Sequence, residues 1–439
     1  MDDGSTVLQD ANIKFIVYTS ANIEKIPYLA YHLSPSQLLE TKAIATVLPF
    51  RVNTYVLDHL IDWDNVPNDP VYQIVFPQPG MLTEEDTNKI KNAIILDPSN
   101  KEKIKLLANE IRNKLNPHPS DQMQLNIPDV GNDGYKGIQH KYKETALFFP
   151  AQGQTCHTYC AFCFRWAQFT DNKNLRFSDP NRDILHQYLL DNKSVSNLIL
   201  TGGDPMVMKS SHFEYYLDAL SQSKYNHLQT IRIGTKSLTY WPYRFTHDSD
   251  ADNLLRLFEK LISSGKHITI MAHYNHVNEL QTDVALLAIK RLQNTGVIIR
   301  SQGPILNHVN NSSDIWLDLW NKQERLGIIP YYMFVERQTG SYRYYEVPLQ
   351  KAYEVYRNAL CQTSGLVRTV RGPSMSTTNG KVEIQGITQI QNKKVFVLRY
   401  IQARNPEWVQ RPFFAHFNDK ATWFDQLKPF YPEDAFFFK

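Results

Sequence analysis

The sequence contains few cysteines, no long apolar run and no large charge of either sign. Four cysteines in 439 residues are too few for a disulfide framework, so a reducing, cytoplasmic setting is expected. No apolar run approaches the ~18 residues that a membrane helix needs, and the N-terminal residues lack the basic start and apolar core of a signal peptide. Lys and Arg total 47 against 44 for Asp and Glu, which gives no reason to expect nucleic acid or a membrane surface as a partner.

Three of the cysteines are crowded into a single stretch. Residues 155–166 read TCHTYCAFCFRW and place Cys156, Cys160 and Cys163 in a C-x3-C-x2-C pattern. Three thiols cannot pair evenly as disulfides, but they can bind a metal. Structural zinc prefers four ligands, so a zinc site would need a distant histidine. Alternatively, three thiolates hold three irons of a 4Fe–4S cluster and leave the fourth iron open to a small molecule. The fourth cysteine, Cys361, is expected to be a small buried residue.

From residue 145 onwards, short apolar runs alternate with helical patterns. The runs that predict strands are ALFFPA, NLILTGG, TIRIGT, HITIMAHY, GVIIRSQ, IPYYMFV and GLVRTVR. Two of the intervening helical patterns end at Gly265 and Gly296, as suits a helix C-terminus. Alternation at a spacing of roughly 30 residues indicates βαβ units and a parallel sheet. About six such units predict an α/β fold with a partial TIM-like barrel, which carries its chemistry at the C-terminal ends of the strands.

The other segments are expected to surround this barrel, which is assigned to residues 145–385. Residues 1–65 predict an N-terminal α/β extension, with a helix over PSQLLETKAIATVL that Ser34 or Ser36 could cap. Residues 66–144 predict a region of helices and loops that packs on the barrel. The stretch DWDNVPNDPVYQIVFPQPGML, rich in Pro, Asn and Asp, reads as an irregular connector. Residues 386–439 predict a C-terminal extension that begins with a strand pair.

The cysteine pattern, with Phe162 before its last cysteine, resembles that of the radical S-adenosylmethionine superfamily. In that superfamily the open iron of a 4Fe–4S cluster binds S-adenosylmethionine, and an electron from the cluster cleaves this cofactor to an adenosyl radical. The string TGGDP, with Gly202, Gly203 and Asp204, resembles the second motif, whose glycines let the backbone approach the cofactor. Further candidates for binding this cofactor lie in or just after apolar strands: Arg232, His273 and Asn275.

The similarity extends to one family within that superfamily. Strings such as LILTGGDPMV, IRIGTKSLTYWPYRFT, SQGPILNHVNN and IPYYMFVER are similar to those of the lysine 2,3-aminomutase family and occur there in the same order. The match covers roughly residues 60 to 385, and it implies a second cofactor, pyridoxal 5′-phosphate. The family also implies an electron donor such as a flavodoxin or ferredoxin.

The resemblance implies which residues meet pyridoxal phosphate. Lys381, in RGPSMSTTNGKVEIQG, matches the lysine that bonds to this cofactor, although Ser and Thr replace the glycines of the family loop. Because Asn-Gly is a strong hairpin signal, a surface lysine at a hairpin is the alternative. Lys141 matches an arginine near the phosphate, and Gln302 matches a glutamine near the pyridine ring. Thr145 stands where the family has a second phosphate-binding arginine.

The expected substrate contacts depart from those of the lysine-specific enzymes. Arg165 matches the arginine that binds the substrate carboxylate. Arg337 and Arg371 stand where those enzymes carry two aspartates that hold the substrate ammonium group. Two arginines would reject lysine, since like charges in a desolvated site cost several kcal/mol. The expected reaction is therefore 2,3-amino migration on a small amino acid with an anionic, glutamate-like side chain. Glu336, beside Arg337, would weaken this preference if it turned inward.

The residues are also compatible with two other functions. One is a radical enzyme that works without pyridoxal phosphate on another small molecule, since the lysine loop is altered. The other is a cluster or zinc protein with no enzymatic activity. The cysteines that bind zinc near the C-terminus of family members have no counterpart here, which leaves formation of a homo-oligomer open.

Overall fold

A computed structural model describes residues 13–122, 124–128, 135, 137–170, 172, 175–431 and 435–438. Its helices are α1 Leu29–His32, α2 Pro35–Val47, α3 Thr54–His59, α4 Pro70–Val75, α5 Glu84–Leu96, α6 Lys101–Lys114, α7 Arg182–Asp191, α8 Ser210–Leu217, α9 Ser237–Tyr240, α10 Ala251–Ser263, α11 Asp283–Asn294, α12 Ser313–Arg325, α13 Tyr342–Tyr345 and α14 Leu349–Cys361. Its strands are β1 Val17–Thr19, β2 Arg51–Asn53, β3 Ile138–Tyr142, β4 Thr145–Phe148, β5 Asn197–Leu200, β6 Thr230–Thr235, β7 His267–His273, β8 Ile298–Ile305, β9 Ile329–Val335, β10 Arg371–Ser376, β11 Gly380–Ile390, β12 Lys393–Ala403, β13 Pro412–His416 and β14 Pro429–Tyr431.

Strands β3 to β14 form one sheet in which each strand pairs with its neighbours in the sequence. Strands β4 to β10 run parallel, while β3 and β11 to β14 pair antiparallel at the two sides. Each parallel crossover carries at least one helix, so the α/β class is confirmed. The sheet is not closed, because among the described residues β3 and β14 pair only with β4 and β13. The partial TIM-like barrel therefore stays a prediction.

The parallel strands are buried by helices on one face. Leu198, Ile231 and Ile270 of the strands share a core with Phe258 of α10 and Trp316 of α12, as expected for a parallel sheet under crossover helices. On β6, the residues between the buried ones are Arg232 and Gly234, both of which line a cavity. The other face of the sheet therefore carries the polar residues.

Several local predictions are confirmed. Ser34 caps α2 and exchanges hydrogen bonds with Gln37 in a capping box. Helices α10 and α11 end before Gly265 and Gly296, whose φ angles of 90° and 87° lie in the left-handed region. The predicted C-terminal strand pair is β11 and β12.

Three expectations differ from the structure. The stretch read as an irregular connector contains α4, which Asp69 caps and Pro70 begins. The run GLVRTVR holds a short 3-10 turn over Val367–Thr369, and the strand predicted there begins only at Arg371. The boundary drawn between residues 385 and 386 falls inside β11, so the C-terminal strands continue the sheet.

The N-terminal region packs against the loops at the C-terminal ends of the parallel strands. Residues such as Val52 and Tyr72 share a hydrophobic core with Phe162, Tyr240 and Tyr345. This core joins residues far apart in the sequence, so the N-terminal region supports the loop that carries the three cysteines. No helix in the described ranges is long and apolar enough to span a bilayer.

Asn53 connects the N-terminal region to the cysteine loop. Its amide nitrogen donates to the carbonyl oxygens of His157 and Tyr240 and to the hydroxyl of Thr158. Its amide oxygen accepts from the backbone N–H of Val56 and caps α3. The side chain is fully buried, so these bonds hold the loop in a dry environment.

We expect Asn53→Ala to lower the free energy of unfolding by about 2–4 kcal/mol, because it removes a cap and leaves buried polar groups without partners. Chemical denaturation measures this change. The control is Asn65→Ala at an exposed position, where a change within about 0.5 kcal/mol is expected. Equal effects of the two substitutions would contradict the role given to Asn53.

Candidate active site

One cavity of about 380 Å³ lies at the inner face of the sheet. Its walls come from the cysteine loop, from strands β3 to β9 and from the β10–β11 hairpin. The sequence-predicted residues that it brings together are Lys141, Cys156, Cys160, Cys163, Arg165, Gly202, Gly203, Asp204, Arg232, His273, Gln302, Arg337 and Lys381. Asn275 and Arg371 are not part of its wall.

The three thiols of the cysteine loop face this cavity together. Burial raises the pKa of Cys160 to about 11 and that of Cys163 to about 12, and it raises the pKa of Cys156 well above its ordinary value. Each of these thiols is close enough to another for its charge to act on that neighbour's pKa. The Sγ of Cys160 also lies 3.3 Å from the hydroxyl of Tyr240. The fourth cysteine, Cys361, is exposed at the end of α14, contrary to the expectation of burial.

The donor set fits an iron–sulfur cluster. In the part of the chain that the structure describes, no three His, Cys, Asp or Glu side chains are grouped to hold a single metal ion. A cluster makes a different demand, because its thiolates bind separate irons. Three thiols on one loop that face a common cavity meet this demand.

Gly202 and Gly203 allow the loop after β5 to lie directly against the cysteine loop. A Cβ at Gly203 would lie 2.4 Å from the carbonyl oxygen of Thr155, and one at Gly202 would lie 2.2 Å from Nε2 of Gln154. The backbone N–H groups of Gly203 and Asp204 donate to the carbonyl oxygens of Gly153 and Thr155. The close packing of the two loops therefore requires glycine at both positions. Close approach of the backbone to a cofactor would require it as well.

Asp204 connects the glycine loop to the end of β6. Its carboxylate accepts hydrogen bonds from the hydroxyls of Thr235 and Ser237 and from the backbone N–H groups of Lys236 and Met206. Burial raises the pKa of Asp204, and these hydrogen bonds oppose that rise. Because its oxygens are occupied within the protein, Asp204 positions the loop.

A buried ion pair that the sequence analysis missed lies beside the cavity. The ammonium of Lys236 pairs with Glu279 and donates to Oδ1 of Asn275 at 3.0 Å. The carboxylate of Glu279 also accepts from the backbone N–H groups of Asn275 and His276. Asn275 is fully buried in this network, so it supports the wall from behind. The sequence signal for this arrangement was Glu279, which lies three residues after the capping residue His276 and forms a capping box with it.

His273 faces the cavity as a neutral ring. It stacks on Phe162 with ring centroids 5.7 Å apart, and burial holds its pKa well below the ordinary value. Its Nδ1 is buried and has no hydrogen-bond partner within the described residues.

Lys381 follows the hairpin turn that Asn-Gly predicts, but its amine is not on the surface. It is the second residue of β11, where it pairs with Ser376 of β10, and its Nζ lies 3.8 Å from the ring centroid of Tyr332. Burial, followed by the charges of Arg371, Arg232, Arg337 and Lys141, holds its pKa well below the ordinary value. Lys381 lines the cavity, so the surface alternative is wrong, and burial favours the neutral form of its amine.

Lys141 and Gln302 lie on two strands of the cavity wall, β3 and β8. Lys141 donates to the carbonyl oxygen of Thr377 in the turn, and burial lowers its pKa to about 7. Gln302 lies on β8, paired in register with Tyr332 of β9. Both line the cavity.

Two arginines share one aromatic ring in the cavity. The guanidinium carbons of Arg165 and Arg337 lie 5.0 and 4.3 Å from the ring centroid of Phe164. Burial and then the charge of Arg337 lower the pKa of Arg165 to about 10, so it keeps its charge at neutral pH. No ion pair to either arginine occurs within the described ranges. Glu336 does turn inward, and burial raises its pKa to about 8.

Arg232 and Arg371 lie deeper than the sequence analysis expected. The Nε of Arg232 donates to Oδ1 of Asn197, at the start of β5, over 2.7 Å. The guanidinium carbon of Arg371 lies 4.4 Å from the ring centroids of both Tyr331 and Tyr332. The structure thus brings Arg337, but not Arg371, to the cavity wall beside Arg165.

The chain was also compared with known proteins, and no family model matches it. A protein of Aquifex aeolicus strain VF5, provisionally named an L-lysine 2,3-aminomutase, is 32% identical over 389 residues, which cover 88% of this chain and 89% of that protein. The chain belongs to the lysine 2,3-aminomutase family of radical S-adenosylmethionine enzymes. The expected enzyme class is confirmed, and the non-enzymatic alternative is set aside.

Two further comparisons cover less of the chain. Glutamate 2,3-aminomutase of Clostridioides difficile strain 630 is 24% identical over 214 residues, or 48% of this chain and 47% of that one. The crystal structure of Streptococcus suis SuiB bound to S-adenosylmethionine covers 63% of this chain and 57% of that one at 15% identity. Its TM-score of 0.35 is too low to support an argument.

We expect Gly203→Ala to cost about 1–3 kcal/mol or more of stability, because the new methyl group would force the cysteine loop away from the glycine loop. Iron and sulfide bound per chain after anaerobic reconstitution should fall as well. Gly234→Ala is the matched control, since its Cβ would meet nothing closer than 3.8 Å. If Gly203→Ala kept wild-type stability and iron content, the loop contact would not matter as argued.

Proposed function

We propose that the chain catalyses a pyridoxal phosphate-dependent 2,3-migration of the amino group on an amino acid with an anionic, glutamate-like side chain. The observation that carries this proposal is the pair Arg165 and Arg337 on the ring of Phe164. Neither arginine has an ion-pair partner in the described residues, and both share a cavity with the thiols and Lys381. A dicarboxylate would supply the missing charges.

The residues of this cavity suit the groups that the family uses. When bound, the cluster and S-adenosylmethionine supply a radical that takes a hydrogen atom, and pyridoxal phosphate supplies a ring that carries the migrating nitrogen. Cys156, Cys160 and Cys163 would hold the cluster, and the loop at Gly202 would lie beside the sulfonium cofactor. Delivery of an electron by a flavodoxin or ferredoxin is part of the proposal.

Lys381 is suited to bond with an aldehyde. A protonated amine must lose its proton before it can act as a nucleophile, and burial among cations favours the neutral form. The ring of Tyr332 beneath the amine adds an apolar surface against which an aromatic cofactor can lie. The side chain would then hold the cofactor without a separate base.

Arg165 and Arg337 would hold the two ends of the substrate. Arg165 follows the last cysteine by two residues, so a carboxylate on its guanidinium would lie near the thiols. Arg337 would take the side-chain carboxylate and would repel the ammonium group of lysine. Glu336 does not cancel this preference, because a carboxyl group with a pKa of about 8 is largely protonated at neutral pH.

The alternative is radical chemistry without pyridoxal phosphate. It is favoured by the turn before Lys381, where Thr377 already accepts a hydrogen bond from Lys141 and Ser and Thr stand in place of glycines. The same cavity would then take a different anionic substrate.

The substrate proposal is tested by the turnover of glutamate and lysine with the anaerobically reconstituted enzyme. We expect turnover of glutamate, and we expect Arg337→Asp to lower kcat/KM for it at least about thirtyfold, since losing a buried charge pair costs 2–5 kcal/mol. Arg343→Asp is the control, because Arg343 is an exposed residue of α13. Efficient turnover of lysine with none of glutamate would exclude an anionic substrate.

The role of Lys381 is tested by adding pyridoxal phosphate at neutral pH, reducing with borohydride and mapping the modified peptide. Lys381 should be labelled ahead of an exposed lysine such as Lys351, because burial among cations disfavours the ammonium form of Lys381. Lys381→Ala should abolish the labelled peptide and the associated absorbance, whereas Lys351→Ala should change neither. Labelling only at exposed lysines would favour the alternative chemistry.

A further inference from the structure

Three arginines and one tyrosine lie near the N-terminal ends of the parallel strands. We name Arg232, Arg300, Tyr331 and Arg371 the floor cluster. Each lies within the first three residues of its strand, on β6, β8, β9 and β10 respectively. The cysteine loop and Arg337 lie after the C-terminal ends of β4 and β9. The floor cluster is therefore at the opposite end of the sheet from the thiols.

Two arginines of the floor cluster contact the ring of Tyr331. The guanidinium carbon of Arg371 lies 4.4 Å from the ring centroid of Tyr331, and that of Arg300 lies 5.1 Å from the same ring. Arg232 is oriented by its hydrogen bond to Asn197. Although burial acts to raise the pKa of Tyr331, the charges of Arg371 and Arg232 overcome it and lower that pKa. Tyr331 thus lies in a strongly positive field.

The floor cluster lacks counter-charges among the described residues. None of its arginines takes part in an ion pair there. The carboxylate that acts on Arg232 is Glu144, an exposed residue within reach of Gln402 rather than of a guanidinium. Partly buried cations without partners are costly, so an anion from outside the chain would stabilise this arrangement.

The floor cluster is adjacent to Lys381. Arg371 lies 4.4 Å and the Nζ of Lys381 lies 3.8 Å from the centroid of the same ring, that of Tyr332. Among charged groups, Arg371 and then Arg232 act most strongly on the Lys381 amine. Arg232 and Tyr332 also line the cavity, so a ligand in the cavity at Lys381 can reach the floor.

We infer that the floor cluster binds a phosphate monoester dianion, with Arg232 and Arg371 as its main contacts. Guanidinium groups match the oxygens of phosphate in pairs, and a dianion balances two of the unpaired cations. In the form in which the phosphate belongs to pyridoxal phosphate on Lys381, this inference rests on the proposed function. Free phosphate would satisfy the same chemistry.

This inference gives the protein two separate anion sites, the second of which joins Arg232 of the cavity wall to Arg371 just outside that wall. Arg165 and Arg337 form one beside the thiols, and Arg232 and Arg371 form the other at the floor. It assigns to Arg371 a role in holding a phosphate, in place of the substrate contact expected from the sequence.

The test compares pyridoxal phosphate, pyridoxal and inorganic phosphate as ligands of the full-length protein. Affinities are measured from absorbance and from the shift in Tm, and adducts on Lys381 are trapped with borohydride. Wild-type protein should bind pyridoxal phosphate at least tenfold more tightly than pyridoxal, and inorganic phosphate should compete. Arg371→Gln and Arg232→Gln should each weaken binding of both phosphates about ten- to hundredfold, with a much smaller loss for pyridoxal, which has no phosphate to bind.

Two controls keep the comparison interpretable. Arg357→Gln changes an exposed arginine of α14 and should leave all three affinities unchanged. Arg371→Lys keeps the charge but loses the paired N–H donors of the guanidinium, so it should give an intermediate affinity for phosphate. It replaces Arg371→Gln in the comparison if that variant fails to fold.

The outcomes separate this inference from the proposed function. In one outcome, phosphate shifts the Tm of the wild type but not of the Gln variants, and no adduct forms on Lys381. This would support the floor site and contradict the pyridoxal phosphate proposal. An adduct on Lys381 with equal affinity in wild type and both Gln variants would overturn the floor site and leave the proposed function standing. The floor site is also overturned if wild-type protein responds to neither phosphate.

Discussion

The carboxylate of Asp204 is the interaction on which the arrangement of the site depends. It accepts hydrogen bonds from the end of β6 and the start of α9, while its backbone N–H donates to Thr155 in the cysteine loop. One buried residue thus holds three segments that come from different parts of the sequence. Gly203 makes this possible, because any side chain there would meet the backbone of Thr155. The thiols can face a common cavity only because these segments touch.

A second constraint is the charge of the cavity. Arg165 and Arg337 near the thiols, and Arg232 with Arg371 at the floor, have no ion-pair partners in the described ranges. Burying an unpaired cation is costly, and an ion pair with an anion offsets that cost. The unpaired arginines are therefore better explained by binding of anionic ligands than by a role in stabilising the fold. Ligands that carry two or three negative charges in total would match them.

Local patterns predicted the alternation of strands and helices and the two motif loops, since period, capping and glycine placement are encoded in neighbouring residues. Helix α4 was missed in a stretch rich in Pro and Asn, although Asp69 followed by Pro70 is a start signal. Asn53 could not be found in this way, because its bond to Tyr240 spans 187 residues. The depth of Arg371 was equally hidden, since it depends on where β10 begins relative to β9.

Burial affects the charge of lysine and arginine side chains in the cavity differently. Lysine can lose its proton, so burial lowers the pKa of Lys141 to about 7 and holds the pKa of Lys381 well below its ordinary value. Arginine starts from so high a pKa that burial leaves Arg165, at about 10, still charged. The arginines therefore strengthen the nucleophile as well as bind anions, because their field further disfavours an ammonium at Lys381. A lysine in place of Arg165 would weaken both effects, since burial in the cavity would favour its neutral form, as it does for Lys141.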